Sequence, residues 1–344
     1  MINRDEEVPY DSLLVVSFGG PEGPDEVLPF LENVLRGRNV PKERMLEVAE
    51  HYQAFGGKSP INEQNRELIA ALTSELDKHG PALPIYWGNR NWHPLLTDTI
   101  EKMRDDGRRK SLAFFTSAYS SYSGCRQYRE NIIEACTYEG SLSPMVHKLR
   151  AFYNHPGFIS AMIERVRGAV ANIPAADLEK TRFFYTAHSI PASMAAGCDY
   201  VLQLQEASRL VSEALELKNY ALVYQSRSGP PQQPWLEPDI CDAITDAHNT
   251  EQIGHVVVIP IGFISDHMEV LFDLDTEARE LCESLGIQYT RAGTVGTHPE
   301  FITMIRKLIT ERTEDADRET LGSLGPRADF CPEDCCPPPP ARRT

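Results

Sequence analysis

The sequence has no apolar run near the roughly 18 residues that a membrane-spanning helix requires. It is also poor in basic residues, with 34 Lys and Arg against 50 Asp and Glu and a formal net charge of −16. Binding to nucleic acid phosphates needs clustered cations, so this balance argues against a nucleic-acid-binding protein. Residues 1–9 are polar and acidic, unlike a secretory signal. The sequence therefore predicts a cytoplasmic protein without a transmembrane segment.

Two further patterns are missing. Gly19 and Gly20 follow the first apolar run without the full spacing of a GxGxxG motif, so a dinucleotide site is not predicted. No heptad repeat indicates a coiled coil, and we expect a monomer. At 344 residues the chain is long for a single hydrophobic core, which predicts two domains.

Short apolar runs alternate with helical stretches along most of the chain. This alternation predicts an α/β fold with parallel sheets flanked by helices. The end of the first run, residues 17–21, is faintly echoed at residues 187–191, which suggests two related halves. A cleft between such halves, at the carboxyl ends of their strands, is the expected binding place. The predicted strands lie at residues 13–18, 85–87, 112–117, 182–187, 220–225, 255–261 and 288–291.

Candidate site residues follow two of these strands. His188 stands where an apolar strand ends, and a helix predicted over residues 268–285 carries Glu269, Asp273 and Glu277. Because these acids are four residues apart, they lie along one face of the helix. The row is either a solvated acidic face or a path of oxygen ligands for a divalent metal. His188 taken alone is typical of a hydrogen-bonded core histidine.

Several ordered motifs between residues 12 and 312 resemble those of the ferrochelatases, enzymes that insert ferrous iron into a porphyrin. The resemblance is greatest to the actinobacterial coproporphyrin ferrochelatases. It implies two similar Rossmann-like, chelatase-type domains with the porphyrin between them. The motifs are SFGGPEGPDEVLPFLENVLRGR (17–38), FGGKSPINEQN (55–65), YWGNRNWHP (86–94), TSAYSSYSGCRQYRE (116–130), TAHSIP (186–191) and SDHMEVLFDLDTE (265–277).

The resemblance also implies how the chain is divided. Residues 10–150 would form the first domain and residues 151–297 the second, which carries His188 and Glu269. A C-terminal helix, residues 298–312, is expected to pack back on the first domain. Residues 313–344 form a tail rich in cysteine and proline.

The resemblance assigns metal and proton handling to His188 and Glu269. A neutral imidazole can bind a metal or accept a pyrrole proton. We expect the carboxylate to face it across the cavity, and the division of roles stays open. Asp273 and Glu277 would lie along the path by which iron enters, where their charge concentrates cations.

The porphyrin itself would contact residues of the pocket motifs. Arginine guanidinium groups and hydroxyl groups can hydrogen-bond its propionates, and aromatic rings can pack against its face. Phe18 stands where some bacterial relatives have a tyrosine near the iron, and phenylalanine cannot ligate a metal. The residues assigned to porphyrin binding by resemblance are Phe18, Arg36, Arg38, Tyr52, Ser59 and Tyr128.

The expected substrates are ferrous iron and coproporphyrin III, whose four propionates demand more polar anchoring than the two of protoporphyrin IX. A later haem-pathway enzyme would receive the iron coproporphyrin. Three alternatives stay open: a protoporphyrin IX ferrochelatase, a chelatase that loads cobalt or nickel into a more reduced tetrapyrrole, and a non-catalytic haem or Fe–S sensor.

The tail contains Cys331, Cys335 and Cys336, and three cysteines within six residues of a cytosolic chain indicate metal ligands, although their spacing is unusual. A [2Fe–2S] cluster needs four thiolates. The resemblance places the fourth at Cys125, with Cys136 as the alternative. A structural zinc site and a flexible reactive tail are competing interpretations. Our hypothesis is that the cluster attaches the tail to the first domain and does not touch the chemistry.

Overall fold

The computed structural model of the chain describes residues 8–37, 40–139, 143–230, 232–251 and 253–338. The predicted α/β fold is confirmed: two four-stranded parallel sheets are flanked by helices. The first sheet has the order β2-β1-β3-β4. Its strands are β1 (Ser12–Ser17), β2 (Ile85–Asn89), β3 (Lys110–Phe115) and β4 (Met145–Lys148).

The second sheet repeats the strand order of the first, as β6-β5-β7-β8. The two halves therefore share one topology, which the faint sequence echo after the first and fifth strands only suggested. The strands are β5 (Thr181–His188), β6 (Tyr220–Gln225), β7 (His255–Ile259) and β8 (Gln288–Arg291). We call β1–β4 with their helices the first unit and β5–β8 with their helices the second unit.

Helices cover both faces of each sheet, so the central strands are buried on both sides and are almost wholly apolar. In the first unit they are α1 (Val27–Leu35), α2 (Lys42–Ala54), α3 (Ile61–His79), α4 (Leu96–Asp105) and α5 (Gln127–Glu139), which follows a π-helical turn (Tyr122–Arg126). The rest are α6 (Pro156–Val170), α7 (Ala175–Leu178), α8 (Ala192–Ala195), α9 (Tyr200–Ala214), α10 (Ile240–Glu251), α11 (Met268–Phe272), α12 (Arg279–Ser284) and α13 (Pro299–Thr313).

The C-terminal helix α13 packs on both α3 of the first unit and α6 of the second. Its apolar face, which includes Phe301, Ile305 and Leu308, is buried in the core shared by the two units. At its end Glu311 forms a buried bidentate ion pair with Arg150, with N–O distances of 2.7 and 2.8 Å. The helix thus contacts more of the fold than the first domain alone.

Residues 314–338, which we call the tail segment, lie across both units rather than only the first. Leu321 donates its amide to the Asn154 carbonyl at 2.8 Å. Arg327 forms an ion pair of 2.7 Å with Asp199, at the start of α9. These contacts attach the tail segment to the rest of the chain. Among the described residues, no helix is both long and apolar enough to cross a membrane.

Candidate functional site

His188 and Glu269 lie together because their strands are neighbours. β5 and β7 pair in parallel, so their carboxyl ends meet at one edge of the sheet. His188 is the last residue of β5, and Glu269 lies in the first turn of α11, shortly after β7. His188 Nε2 is 3.6 Å from Glu269 Oε1, and their side chains are 32% and 47% exposed.

The expectation that the carboxylate faces the imidazole across the cavity is therefore wrong. Both groups belong to the wall formed by the second unit, and a porphyrin cannot fit into the 3.6 Å between them. The reason is the strand order, in which β5 lies directly beside β7. The porphyrin would have to approach the pair from the first unit's side.

The imidazole orientation is fixed by backbone groups. His188 Nδ1 lies 2.5 Å from the Ser189 carbonyl oxygen. A carbonyl only accepts, so Nδ1 carries a hydrogen and Nε2 faces Glu269. Tyr200 donates its hydroxyl to the His188 carbonyl at 3.0 Å. Sequence reasoning missed this tyrosine, which starts α9 and is buried.

The pair is an ion pair in the free protein. Burial disfavours the imidazolium, but the Glu269 carboxylate outweighs it and raises the pKa of His188 to about 9. Burial acts on Glu269 in the opposite direction, and the imidazolium lowers the pKa of that carboxyl to about 2. At neutral pH a proton is therefore stored on His188 next to a charged carboxylate.

The acidic row begins in α11 and continues through a π-helical segment, Asp273–Ala278, before α12. Four residues are slightly more than one turn of an α-helix, which has 3.6 residues per turn, and slightly less than one turn of the wider π-helix. The two deviations have opposite directions, so Glu269, Asp273 and Glu277 stay close to one line along the helix. The predicted helix is thus present to Ser284, but it is not uniformly α-helical.

Asp273 is held by the end of the neighbouring strand β6. Gln225 donates to its Oδ2 at 3.2 Å, and the Ser226 hydroxyl donates to the same oxygen. Burial, with the negative charges of Glu269 and Glu277, raises the pKa of Asp273 to about 7. Burial and nearby Asp239 also raise the pKa of Glu277. A carboxyl group that titrates near neutrality, as Asp273 does, can exchange a proton for a cation.

Three of the predicted porphyrin contacts lie in one aromatic region. Phe18 and Tyr52 both pack edge-on against Phe30 of α1, at ring-centroid distances of 6.3 and 5.8 Å. Burial and the Glu269 charge raise the pKa of Tyr52 above its usual value, which indicates that Tyr52 lies near the ion pair. The Arg90 guanidinium lies 4.5 Å from the centroid of the Tyr128 ring and 5.9 Å from that of Phe18.

The other predicted contacts are placed differently. The Ser59 side chain is 2% exposed and packs on Gly20, and its hydroxyl accepts the Ile61 amide at 3.4 Å. Arg36 follows α1, where its guanidinium binds Asn33. Arg38 lies outside the described residues. Arg90, in the motif YWGNRNWHP, was not singled out by sequence reasoning, although that motif was the available signal.

The two units also meet at the mouth of the cleft. The His51 ring of α2 stacks on Phe272 of α11 with centroids 3.7 Å apart and an angle of 12° between the planes. Gln64 of α3 exchanges two hydrogen bonds with the backbone of Asp266, just before α11. Both α2 and α3 of the first unit therefore contact the segment that carries Glu269.

The tail cysteines approach Cys125 in the first unit. A hydrogen bond from Cys125 lowers the pKa of Cys331 to about 5, and Lys148 contributes in the same direction. Cys335 also hydrogen-bonds Cys331, and the Cys335 and Cys336 sulfurs are 3.6 Å apart. Cys136 lies elsewhere, with its sulfur 3.7 Å from the Pro144 carbonyl. Within the described part of the chain, no three His, Cys, Asp or Glu side chains are grouped so that they could hold a metal ion.

The fold and the site together define a chelatase-type α/β protein. The fold is similar to that of the sirohydrochlorin chelatase from Bacillus subtilis subspecies spizizenii in complex with cobalt. That comparison has a TM-score of 0.50 at 12% identity and covers 89% of this chain and 96% of the other. At this identity the similarity concerns the fold alone.

The sequence comparisons then identify the family. The model of the ferrochelatase family matches residues 10–313. A ferrochelatase from Rhodopirellula baltica is 59% identical over 95% of this chain and 93% of its own length. A coproporphyrin III ferrochelatase from Streptomyces coelicolor is 49% identical over 96% of this chain and 94% of its own. The chain belongs to the ferrochelatase family, as its motifs predicted, and is an enzyme of that family.

Proposed function

We propose that this protein inserts ferrous iron into coproporphyrin III. The observation that carries the proposal is the ion pair of His188 and Glu269, at the end of an acidic row and near Tyr52 of the aromatic region. The names of the relatives support the substrate, since several are coproporphyrin III ferrochelatases. The complete pair argues against a non-catalytic haem or Fe–S sensor. Cytoplasmic location, a monomeric state and transfer of the product to a later haem-pathway enzyme stay predictions.

The stored proton suggests how the pair works. Fe²⁺ that passes Glu277 and Asp273 would reach Glu269 and take its carboxylate as an oxygen ligand. The charge that holds the proton on His188 is then neutralised, so the pKa of His188 falls. His188 would then give its stored proton to Asp273, the next acid in the row, whose pKa is about 7. The neutral imidazole can accept the two pyrrole protons in turn as Fe²⁺ replaces them on the ring nitrogens, and Asp273 can pass each proton outward.

The substrate preference tests the proposal. We expect kcat/KM for coproporphyrin III to exceed that for protoporphyrin IX by at least about tenfold, since a charge-assisted hydrogen bond contributes about 1.5–3 kcal/mol. The measurement is the anaerobic loss of porphyrin fluorescence on addition of Fe²⁺. Faster metallation of protoporphyrin IX would contradict the assignment, and persistent fluorescence with both porphyrins would contradict ferrochelatase activity itself. Co²⁺ and Ni²⁺ with a more reduced tetrapyrrole test the third alternative.

We infer that Cys125, Cys331, Cys335 and Cys336 hold a [2Fe–2S] cluster. The four thiols form a connected series, and Cys331 is already disposed to be a thiolate, the form that binds metal. Four cysteine thiolates are the donor set that such a cluster requires. When bound, the cluster would link the tail segment to the first unit. The tail segment also contacts the second unit, so the link would join parts of both.

Absorbance of anaerobically purified protein tests the cluster. We expect charge-transfer bands in the visible range, lost in Cys125→Ser and Cys331→Ser because each removes a thiolate. Cys136→Ser is the matched control and should keep the bands, since Cys136 lies apart from the other four. A metal-loaded protein without visible bands would indicate zinc instead. Bands lost in Cys136→Ser but kept in Cys125→Ser would reverse the choice of fourth ligand.

A further inference from the structure

We propose that Gln64 is a positioning residue of the iron site, which holds the Glu269 segment from the opposite side of the cleft. The inference rests on the proposed iron insertion. Gln64 lies in the first turn of α3, in the first unit, and Asp266 follows β7 in the second. Nothing in the hydrophobic pattern of the sequence brings these residues together, since they are 202 positions apart.

The contact is a matched exchange of two hydrogen bonds. The Asp266 amide donates to Gln64 Oε1 at 2.8 Å, and Gln64 Nε2 donates to the Asp266 carbonyl at 3.1 Å. One carboxamide thus satisfies both backbone groups of Asp266 and fixes the plane of the chain there. Glu269 is three residues further on, in the first turn of α11.

The second unit holds Asp266 from its other side. Its carboxylate accepts from Arg291 at 2.6 Å and from Thr294 at 3.2 Å. Arg291 also binds Asp275 with distances of 2.7 and 2.8 Å, which ties the start of α11 to the π-helical segment. These contacts hold the Asp266 segment within the second unit. A shift of Asp266 would therefore move the start of α11 with it.

The first unit holds Gln64 equally firmly. Its neighbour Asn62 donates to the Gly20 carbonyl at 3.0 Å, and Asn65 donates to the Ser17 hydroxyl at 2.9 Å. Both partners lie at the end of β1, beside Phe18 in the proposed porphyrin pocket. Gln64 therefore fixes the distance between the wall that would hold the ring and the helix that carries Glu269.

Loss of these two bonds should affect rate more than stability. Gln64 is half-buried, and neutral hydrogen bonds contribute little to global stability. Displacement of a reacting group by about 1 Å, in contrast, can lower a rate about a hundredfold. The geometry thus predicts a defect in the metal insertion step of a protein that is otherwise well folded.

The test is Gln64→Met, which keeps the length of the side chain and removes both hydrogen bonds. We expect kcat for iron insertion to fall about 10- to 100-fold. Coproporphyrin affinity, measured by titration of porphyrin fluorescence without iron, should stay within about twofold, and Tm within about 5 °C. An unchanged kcat would overturn the inference, as would an equal loss of porphyrin affinity and of kcat/KM, which would place Gln64 in ring binding.

Gln203 offers a matched control. Its carboxamide also joins the two units through two bonds, to the Ser120 amide at 2.8 Å and the Ser120 hydroxyl at 2.9 Å. It is 1% exposed and belongs to α9, which is not the helix of Glu269.

Gln203→Met should lower Tm more than Gln64→Met does and keep kcat within about threefold. If Gln203→Met lowers kcat as much as Gln64→Met does, both act through general attachment of the units and the inference is wrong. If the wild-type protein does not insert iron into coproporphyrin III, the proposed function itself is wrong.

Discussion

His188→Ala is expected to lower kcat for iron insertion by about a thousandfold, since general acid–base groups typically contribute 10²–10⁴-fold. The imidazole lies 3.6 Å from Glu269, and its Nε2 faces the carboxylate. Alanine removes both the group that would accept the pyrrole protons and the positive charge that lowers the pKa of Glu269. The measurement is the initial rate of anaerobic fluorescence loss from coproporphyrin III with Fe²⁺.

A second variant of the pair and a control variant are needed to interpret this result. Glu269→Gln keeps the shape of the side chain but cannot offer a charge to Fe²⁺, and it should also slow insertion strongly. His79→Ala is the control: that histidine is 56% exposed near the end of α3, with Glu75 at 3.9 Å, and its removal should leave the rate unchanged. Full activity in both His188→Ala and Glu269→Gln would contradict the proposed catalytic pair.

The fold was largely predictable because its central strands are buried on both faces. Strands such as β1 and β3 appear in the sequence as short apolar runs between helical stretches. The exception is β4, Met145–Lys148, which the sequence did not indicate. All four of its residues are only half-buried, and it pairs with β3 alone at the edge of the sheet. An edge strand with polar residues has no apolar run to reveal it.

The candidate site was predictable residue by residue but not in its geometry. Each of His188 and Glu269 follows a strand, and their types indicate metal and proton chemistry. Their separation depends on which strands are neighbours, and periodicity does not contain that information. Gln64, Tyr200 and Arg90 make one or two hydrogen bonds or ring contacts with residues that no local pattern brings together. Such contacts depend on how the helices and strands pack, which periodicity does not describe.

The tail segment shows the same limit. Its cysteines indicated metal ligands that attach the tail to the first domain. The structure adds polar contacts to the second unit, including the ion pair of Arg327 with Asp199 and the amide of Ser323, which donates to Glu206 at 3.3 Å. Sequence patterns did not indicate these two contacts, because the partners of Arg327 and Ser323 lie more than a hundred residues away.

Arg150→Ala is expected to destabilise the protein by about 3–5 kcal/mol, because it leaves a buried carboxylate without its partner. The Arg150 and Glu311 side chains are 0% and 2% exposed. Arg150 also donates to the Glu319 carbonyl at 2.9 Å, so the variant loosens the start of the tail segment as well as α13. Urea unfolding followed by circular dichroism measures the change in the free energy of unfolding.

Two comparisons separate the cost of an unpaired charge from the contribution of the pair. Arg150→Met combined with Glu311→Leu removes both charges and should recover most of the lost stability, since apolar residues of similar volume can replace a buried ion pair. Lys307→Ala breaks an ion pair with Glu319 whose partners are 39% and 40% exposed, and should cost less than about 1 kcal/mol. If Arg150→Ala costs no more than Lys307→Ala, the buried pair does not hold α13 in place. If the double variant is as unstable as Arg150→Ala, the loss comes from packing or from the Glu319 contact rather than from the unpaired carboxylate.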